Sequence, residues 1–396
     1  MKNTRTLSLP RLVVGSTAVL LLASACSGGG SDSADTTVPD TSAATTTPTT
    51  AAATTTTAGA TTTTAASATT TTVAPCAAVA PLTGLCLSDP ALAKRTALVV
   101  KIDNHAEAVP QTGLNEADVV YEELVEGISR FASVFQSQTT VPVGELATIG
   151  PIRSGRTSDV DIVAALGKPL FAWSGGNDRV TKQIRSANLV DVGYSLRSKE
   201  GGYFRDRGRS APHNLYANML ALFAQQKPDQ APPAPLFSFR APGEAPLSAA
   251  RAIDGVKLKF SGKISQWTWD GAGSQWVRSQ SESPSNPKPH NDASGTQLNA
   301  KNVVVLFTPY GSTNGSPEAK TVGKGTAWVF TDGKVIEGCW ERPDKTKGAA
   351  LILCGTTTPI ALTPGRTWVE LPEADKTTPN NAALIEPGVD PATVKP

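Results

Sequence analysis

Residues 27–75 set the outer limit on what this chain can fold. They are almost entirely Thr, Ala, Ser, Gly, Pro and Asp, with two valines and no aromatic residue. Such a stretch has too little apolar surface to offset the entropy of ordering its backbone, so it reads as a disordered tether whose Thr/Pro content suits O-glycosylation. As a flexible coil it reaches roughly 40 Å on average and on the order of 150 Å when stretched. Folding is thereby confined to residues 76–396, about 320 residues, which is more than one core usually serves.

The segment ahead of the tether carries Lys2, Arg5 and Arg11, then an apolar run from Leu12 to Leu22, then Ala23-Ser-Ala-Cys26. Charged, apolar and small-residue regions in that order make a secretory signal, and the apolar run is too short to span a bilayer comfortably. The ending Leu22-Ala-Ser-Ala-Cys26 resembles a bacterial lipobox, with Ala23 where Leu is commoner. On this reading residues 1–25 are cleaved and Cys26 becomes a lipidated N-terminus, since two or more acyl chains anchor a protein firmly. The expected location is extracytoplasmic, on the cell membrane. Loss of three positive charges takes the formal net charge from +2 to about −1, which gives no support to nucleic-acid binding.

Four cysteines follow Cys26: Cys76, Cys86, Cys339 and Cys354. In an oxidising compartment two close pairs read as disulfides, Cys76–Cys86 and Cys339–Cys354. Three connectivities are formally allowed, and proximity alone favours this one. A zinc site is the competing reading, but the spacings lack a C-x-x-C pair and no histidine lies near either.

Hydrophobic periodicity divides the globular part in two. In residues 76–235, strands are expected at Ala97–Ile102, Val119–Val125, Phe131–Gln136 and Leu170–Trp173, with a strand-like run at Glu145–Ile149. Helices are expected at Ser158–Leu166, Asp178–Ser186 and Leu215–Gln226, the last capped near His213-Asn214. Strands alternating with helices imply a mixed α/β domain. Pro228, Pro232, Pro233, Pro235, Pro242 and Pro246 mark a linker. Residues 236–396 carry short β-branched or aromatic runs at Val256–Phe260, Ser265–Trp269, Gln275–Arg278, Val303–Thr308, Ala327–Thr331, Val335–Trp340, Leu351–Cys354 and Thr367–Leu371. Thr331-Asp-Gly-Lys334 is a type I′ hairpin signal. This half is expected to be antiparallel β, with its disulfide joining neighbouring strands.

Charge is distributed unevenly in the first half. Residues 103–126 hold seven acidic residues and no basic one, whereas residues 130–209 hold twelve Lys or Arg against seven Asp or Glu. In the basic stretch lies Gly150-Pro-Ile-Arg-Ser-Gly-Arg-Thr157, one residue away from a phosphate-loop pattern. An NTPase is disfavoured, because Arg156 replaces the lysine, Pro151 removes a backbone donor, and nucleotide triphosphate is scarce outside the membrane. Two guanidiniums beside free backbone donors at a helix start still favour a phosphate, sulfate or carboxylate.

Asp103-Asn-His105, Gly113-Leu-Asn-Glu-Ala-Asp-Val-Val-Tyr-Glu122, Gly150-Pro-Ile-Arg-Ser-Gly-Arg156, Arg209-Ser-Ala-Pro-His-Asn214 and Leu362-Thr-Pro-Gly-Arg-Thr-Trp368 together resemble the YerB-like family of bacterial lipoproteins. The resemblance covers nearly all of the globular part. It implies two successive domains and an envelope location, and it carries over no catalytic residue.

The expected ligand-binding residues are therefore Arg153 and Arg156, with Arg130, Arg205 and Arg209 converging on them and Asp159 or Asp161 holding a cation or orienting an arginine. His105, His213 and Asn214 are placed to line a cleft at strand ends. The competing view pairs these arginines with the carboxylates of residues 103–126 as an internal network. A metal would need the histidines to meet, and no cofactor or metal is expected. His290 is expected to be solvent-exposed in a Pro/Ser/Asn loop. Trp173-Ser-Gly-Gly-Asn177 reads as a tight strand-to-helix connection, and the tryptophans at 267, 269, 276, 328, 340 and 368 as core or cross-strand partners rather than a glycan surface. The chain is thus expected to bind an anionic envelope component or envelope protein without catalysis, or else to be an enzyme acting on a phosphorylated or glycan substrate.

Overall fold

The strand Asn302–Leu306, of sequence Asn-Val-Val-Val-Leu, buries all its residues, as do Leu98–Asp103, Ser129–Phe135 and Thr367–Leu371. A strand wetted on one face alternates in polarity, so these strands must be covered on both. The computed structural model shows the two covering layers and describes residues 76–137, 147–282, 287–313, 315–374 and 379–396. The expected leader, lipidated Cys26 and tether lie outside the described residues, as does the start of the strand-like run at 145–149.

The central sheet has eleven strands. From one edge it runs Arg251–Ala252, Lys334–Arg342, Gly323–Thr331, Asn302–Leu306, Thr367–Leu371, Val119–Leu124, Ser129–Phe135, Leu98–Asp103, Leu170–Ala172 and Val190–Asp191, with Ala350–Ile352 branching from Lys334–Arg342. Strands from both halves of the sequence thus share one sheet, joined where Thr367–Leu371 pairs parallel with Val119–Leu124. On one face Val99, Val134, Val304 and Val369 pack with Ile162 and Val163 of the helix Ser158–Ala164 and with Val180 and Ile184 of Asp178–Ser186. On the other, Val100, Phe131, Val305 and Trp368 meet Val256, Leu258, Trp267 and Trp276 of a second sheet. That sheet runs Lys288–Pro289, Gln275–Ser281, Lys263–Asp270, Gly255–Phe260 and Ala382–Ile385, with Asn299–Ala300 also on Gln275–Ser281.

The first half is mixed helix and strand and the second almost wholly antiparallel β, as the periodicity implies; the parallel pair Asn302–Leu306 with Thr367–Leu371 is an exception within the second half. Asp332 and Gly333 take φ of 48° and 68°, making the expected hairpin turn between Thr331 and Lys334. Both expected disulfides are present, and Cys339–Cys354 ties Lys334–Arg342 to the end of its neighbour Ala350–Ile352. The tryptophans at 267, 276, 328, 340 and 368 are buried, in accord with a core role.

The expected helix Leu215–Gln226 is a correction. Leu215–Asn218 is a strand between Thr148–Ile149 and Phe204–Arg205, and only Met219–Phe223 is helical. Leu215, Ala217, Met219, Leu222 and Phe223 all enter the same core, so spacing by two and then by three imitates one helical period. The cap is Asn218, whose side chain accepts the Ala221 N–H at 3.0 Å, not His213 or Asn214.

Candidate functional site

Leu98–Asp103 and Leu170–Ala172 are parallel neighbours, so Asp103 and Trp173 leave the sheet at the same end, where ligands of α/β sheets commonly sit. Residues 150–153 lie alongside as an extended segment: Ile152 bridges Ile102, and the Arg153 N–H donates to Lys101 O at 2.8 Å. The loop then turns into the helix Ser158–Ala164 at Gly155, whose N–H donates to Gly175 O at 3.1 Å. A Cβ at Gly155 would lie 2.6 Å from Ile184 Cδ1 and 2.9 Å from the Trp173 ring, so the packing of these side chains against the loop favours glycine here. Between them is a cavity of about 510 Å³ lined by Arg153, Arg156, Arg205, Glu126 and Ser174 to Asn177. Ser174 to Asn177 form the expected strand-to-helix connection, Asn177 capping Asp178–Ser186 through the Val180 N–H.

Most backbone donors of this loop are already engaged, which narrows the expected free donors to those of Ser154 and Thr157. The N–H groups of Gly150, Ile152, Arg153 and Gly155 donate to Thr112, Leu215, Lys101 and Gly175 carbonyls, and that of Arg156 donates to Asp159 Oδ2. An anion here would be held mainly by guanidiniums.

The arginines differ in what they have left to offer. Arg156 is engaged: its Nε donates to Glu126 Oε1 at 2.9 Å, a second nitrogen pairs with Oε2, and Nη1 donates to Gly155 O at 2.8 Å. Burial raises the Glu126 carboxyl, but hydrogen bonds from Arg156 and Ser316 outweigh it and bring the pKa down to about 2. Arg153 has its Nε 3.2 Å from Asp103 Oδ2, with its side chain 24% exposed. Its two terminal nitrogens make no hydrogen bond among the described residues. Arg205 is exposed, donating to Asn214 Oδ1 at 2.7 Å with its guanidinium 5.6 Å from the Tyr194 ring centre. Arg130 lies beneath, donating to Ser154 O at 3.2 Å. Burial, together with the positive charge of Arg156 and Arg153, lowers its pKa to about 10 against the pull of Asp103 and Glu126. Arg209 is elsewhere, donating to the Glu107 and Pro110 carbonyls. Asn214 braces the turn, donating to Asp206 O and Arg209 O.

Asp103 gathers the rest. Its Oδ2 is 2.7 Å from His213 Nδ1 and 3.2 Å from Arg153 Nε, while Oδ1 accepts the His105 N–H at 3.2 Å. The His105 and His213 rings stack with centres 4.2 Å apart and planes 14° off parallel. Glu107 Oε2 lies 4.0 Å from His213 Nε2. Asp159 is buried under the loop, 2.9 Å from Lys101 Nζ, and Lys101 donates to Glu123 Oε1 at 2.6 Å. Burial and the charge of Glu123 raise Asp159 to about 6 against Lys101 and the Arg156 N–H. Asp161 lies apart from these groups, its backbone carbonyl accepting from Arg342 and its charge acting on the same guanidinium.

The sequence did not single out Glu107, Glu126 or the Lys101–Glu123 pair. Glu107 was legible in principle, two residues from His105 in one 3₁₀ turn; Glu126 and Glu123 were visible only as members of the acidic stretch. His290 is a correction: it is 1% exposed, accepting from Arg278 and bonded through Nε2 to Gln111 Oε1 at 2.7 Å. Arg278 also grips both Glu122 oxygens, at 3.0 and 2.8 Å, between the two sheets.

Comparison with known proteins gives a consistent result. Residues 82–231 match the N-terminal domain, and residues 256–369 the C-terminal domain, of a family described as "Protein of unknown function (DUF3048)". "Putative lipoprotein YerB" of Bacillus subtilis (strain 168) is 34% identical over 145 residues, 35% of this chain and 40% of that protein's length. The crystal structure of YerB protein from Bacillus subtilis superposes with a TM-score of 0.64 at 22% identity, covering 78% of this chain and all of that one, which shows a shared fold.

Proposed function

Because the chain belongs to the two-domain DUF3048 family, we propose that it is a lipid-anchored protein of the cell envelope that binds an anionic component or partner in the cavity under Arg153. The anchor rests on Leu22-Ala-Ser-Ala-Cys26, which is where a lipoprotein of the kind named in the Bacillus relative would be processed. The binding rests on one observation: Arg153 is held at the cavity wall by Asp103 through Nε, leaving both terminal nitrogens turned to no partner among the described residues. A guanidinium fork presented in this way suits a phosphate or carboxylate. Arg205 supplies a second positive group on the same wall, and Arg156, neutralised by Glu126, shapes it.

Inorganic pyrophosphate is a suitable probe, read by thermal unfolding and calorimetry. Ligand at about 100 times its Kd stabilises a folded protein by about 2.7 kcal/mol, so the wild-type Tm rises. Arg153→Gln is expected to abolish the rise and Arg205→Gln to reduce it; an equal rise in both variants overturns the reading. Mass spectrometry of the mature protein is expected to show acylated Cys26, and an unmodified N-terminus at another residue removes the anchor.

The alternative, an enzyme acting on a phosphorylated or glycan substrate, is favoured by one feature. Asp103 joins Arg153 to His213, an arrangement that orients an imidazole as general acid or base beside an anion-holding group. On that reading His213→Gln retains pyrophosphate binding but abolishes turnover of a phosphate-ester substrate.

A further inference from the structure

We propose that His105, His213 and Glu107 form a binding site for a divalent transition-metal ion of the zinc type. The three residues come from two turns: His105 and Glu107 follow the strand Leu98–Asp103, and His213 precedes Leu215–Asn218. One ligand atom from each lies within 4.8 Å of the other two. Two imidazoles and a carboxylate are a donor set that holds zinc with a position left open to water or substrate.

The arrangement around His213 is what such a site needs. Its Nδ1 is 2.7 Å from Asp103 Oδ2, and Asp103 is itself buried and held by Arg153. A carboxylate on Nδ1 fixes the ring, leaves Nε2 as the ligand atom, and makes it a better donor. Nε2 is the nitrogen that faces Glu107, at 4.0 Å. Tetrahedral bonds of about 2.0–2.1 Å put ligand atoms roughly 3.3 Å apart, so loading draws the three together by about 1 Å. The side chains that must move are the ones free to: Glu107 is 61% exposed and His105 is half-buried, whereas His213 is fixed. His105 Nδ1 accepts the Glu107 N–H at 3.2 Å, a contact that loading gives up, either because Nδ1 turns its lone pair to the ion or because ligation through Nε2 moves the ring proton to Nδ1.

Charge also bears on the site. Asp103 is offset by Arg153, whereas Arg209 pairs with Asp206 and reaches only the backbone carbonyl of Glu107, which leaves the Glu107 carboxylate for the ion. A bound dication therefore makes the charge next to the arginine-lined cavity more positive. The metal site does not depend on the anion reading, because it is tested without an anion.

The test is equilibrium dialysis of the untagged full-length chain, stripped with EDTA and returned to zinc in phosphate-free buffer, with metal counted by mass spectrometry. About one zinc per chain is expected, and cobalt(II) in its place should show the visible bands of imidazole-bound metal. Glu107→Gln, at an exposed position that does not threaten the fold, and His105→Gln should lose this binding. Asp103→Asn, a positioning change, should weaken it by about 10- to 100-fold. Arg205→Gln, at a residue that pairs with Asn214 and not with Asp103, should keep the zinc while weakening the response to pyrophosphate. No zinc retained by the wild type, or wild-type affinity in both Glu107→Gln and His105→Gln, overturns the site.

Discussion

Asp159 shows how one residue ties the working loop to the core. It receives the Arg156 N–H at 2.7 Å and faces Lys101, which is shared with Glu123, all three buried. Two carboxylates around one ammonium leave an excess negative charge in a desolvated place. Burial first, and Glu123 after it, raise Asp159 to about 6. A carboxyl whose pKa is higher folded than unfolded binds its proton more tightly in the native state, so stability falls as pH rises from about 4 through about 6. Asp159→Asn removes that titration. Urea unfolding at about pH 5 and pH 7.5 should show a smaller loss across that interval in Asp159→Asn than in wild type, by roughly 1–2 kcal/mol; an equal loss refutes the assignment. Little of this was legible beforehand. The acidic stretch and the basic stretch were plain, but which carboxylate met which cation depended on strand register, such as Asp103 opposite Arg130. His290 misled for a related reason: its polar loop looks solvated until Arg278 of the adjoining strand and Gln111, from a loop far away in sequence, are brought to it.

Single elements were readable in proportion to how pure their period is. Asp178–Ser186 and Thr367–Leu371 fall where the sequence puts them, the first with Val180 and Ile184 four apart and the second a β-branched and aromatic run. Leu215–Gln226 failed because a strand passes into a helix with no break in hydrophobicity, and the only local mark of the junction is an asparagine. Asn218 lies at ψ 120° and closes the first turn of Met219–Phe223 with its side chain. Asn218→Ala should cost about 1 kcal/mol, the usual worth of such a cap, seen as a lower urea midpoint with unchanged slope. No change would mean that burial of Met219 and Leu222 alone holds this turn. The candidate site depends on the junction, since Leu215 accepts the Ile152 N–H and so holds the loop that carries Arg153.

At the scale of the whole molecule, the matter is whether two sequence segments make two folding units. The two family matches are separated in sequence, yet Thr367–Leu371 is parallel to both Asn302–Leu306 and Val119–Leu124 and lies between them. No local pattern announces a parallel pairing between residues so distant in the chain, which is why the shared sheet was invisible in the sequence. Side chains cross the same seam: Arg278 of the second sheet pairs with buried Glu122, and its guanidinium lies 5.4 Å from the ring centres of Phe131 and Trp368. Glu370, raised well above the ordinary carboxylate range by burial and then by Glu122, accepts from Trp267 Nε1. Cutting the chain after residue 235 would bare one edge of Val119–Leu124 and strand the Glu122 carboxylate without its cation. Removing one partner of a buried pair costs about 3–5 kcal/mol, a large part of the roughly 5–15 kcal/mol that holds a typical domain together. The full chain should therefore unfold in one transition, with circular dichroism and the fluorescence of the mainly second-half tryptophans superimposing. A fragment of residues 76–235 should aggregate or lack a cooperative transition. A monomeric fragment with a sharp unfolding curve would show instead that the seam joins two bodies that are each stable alone.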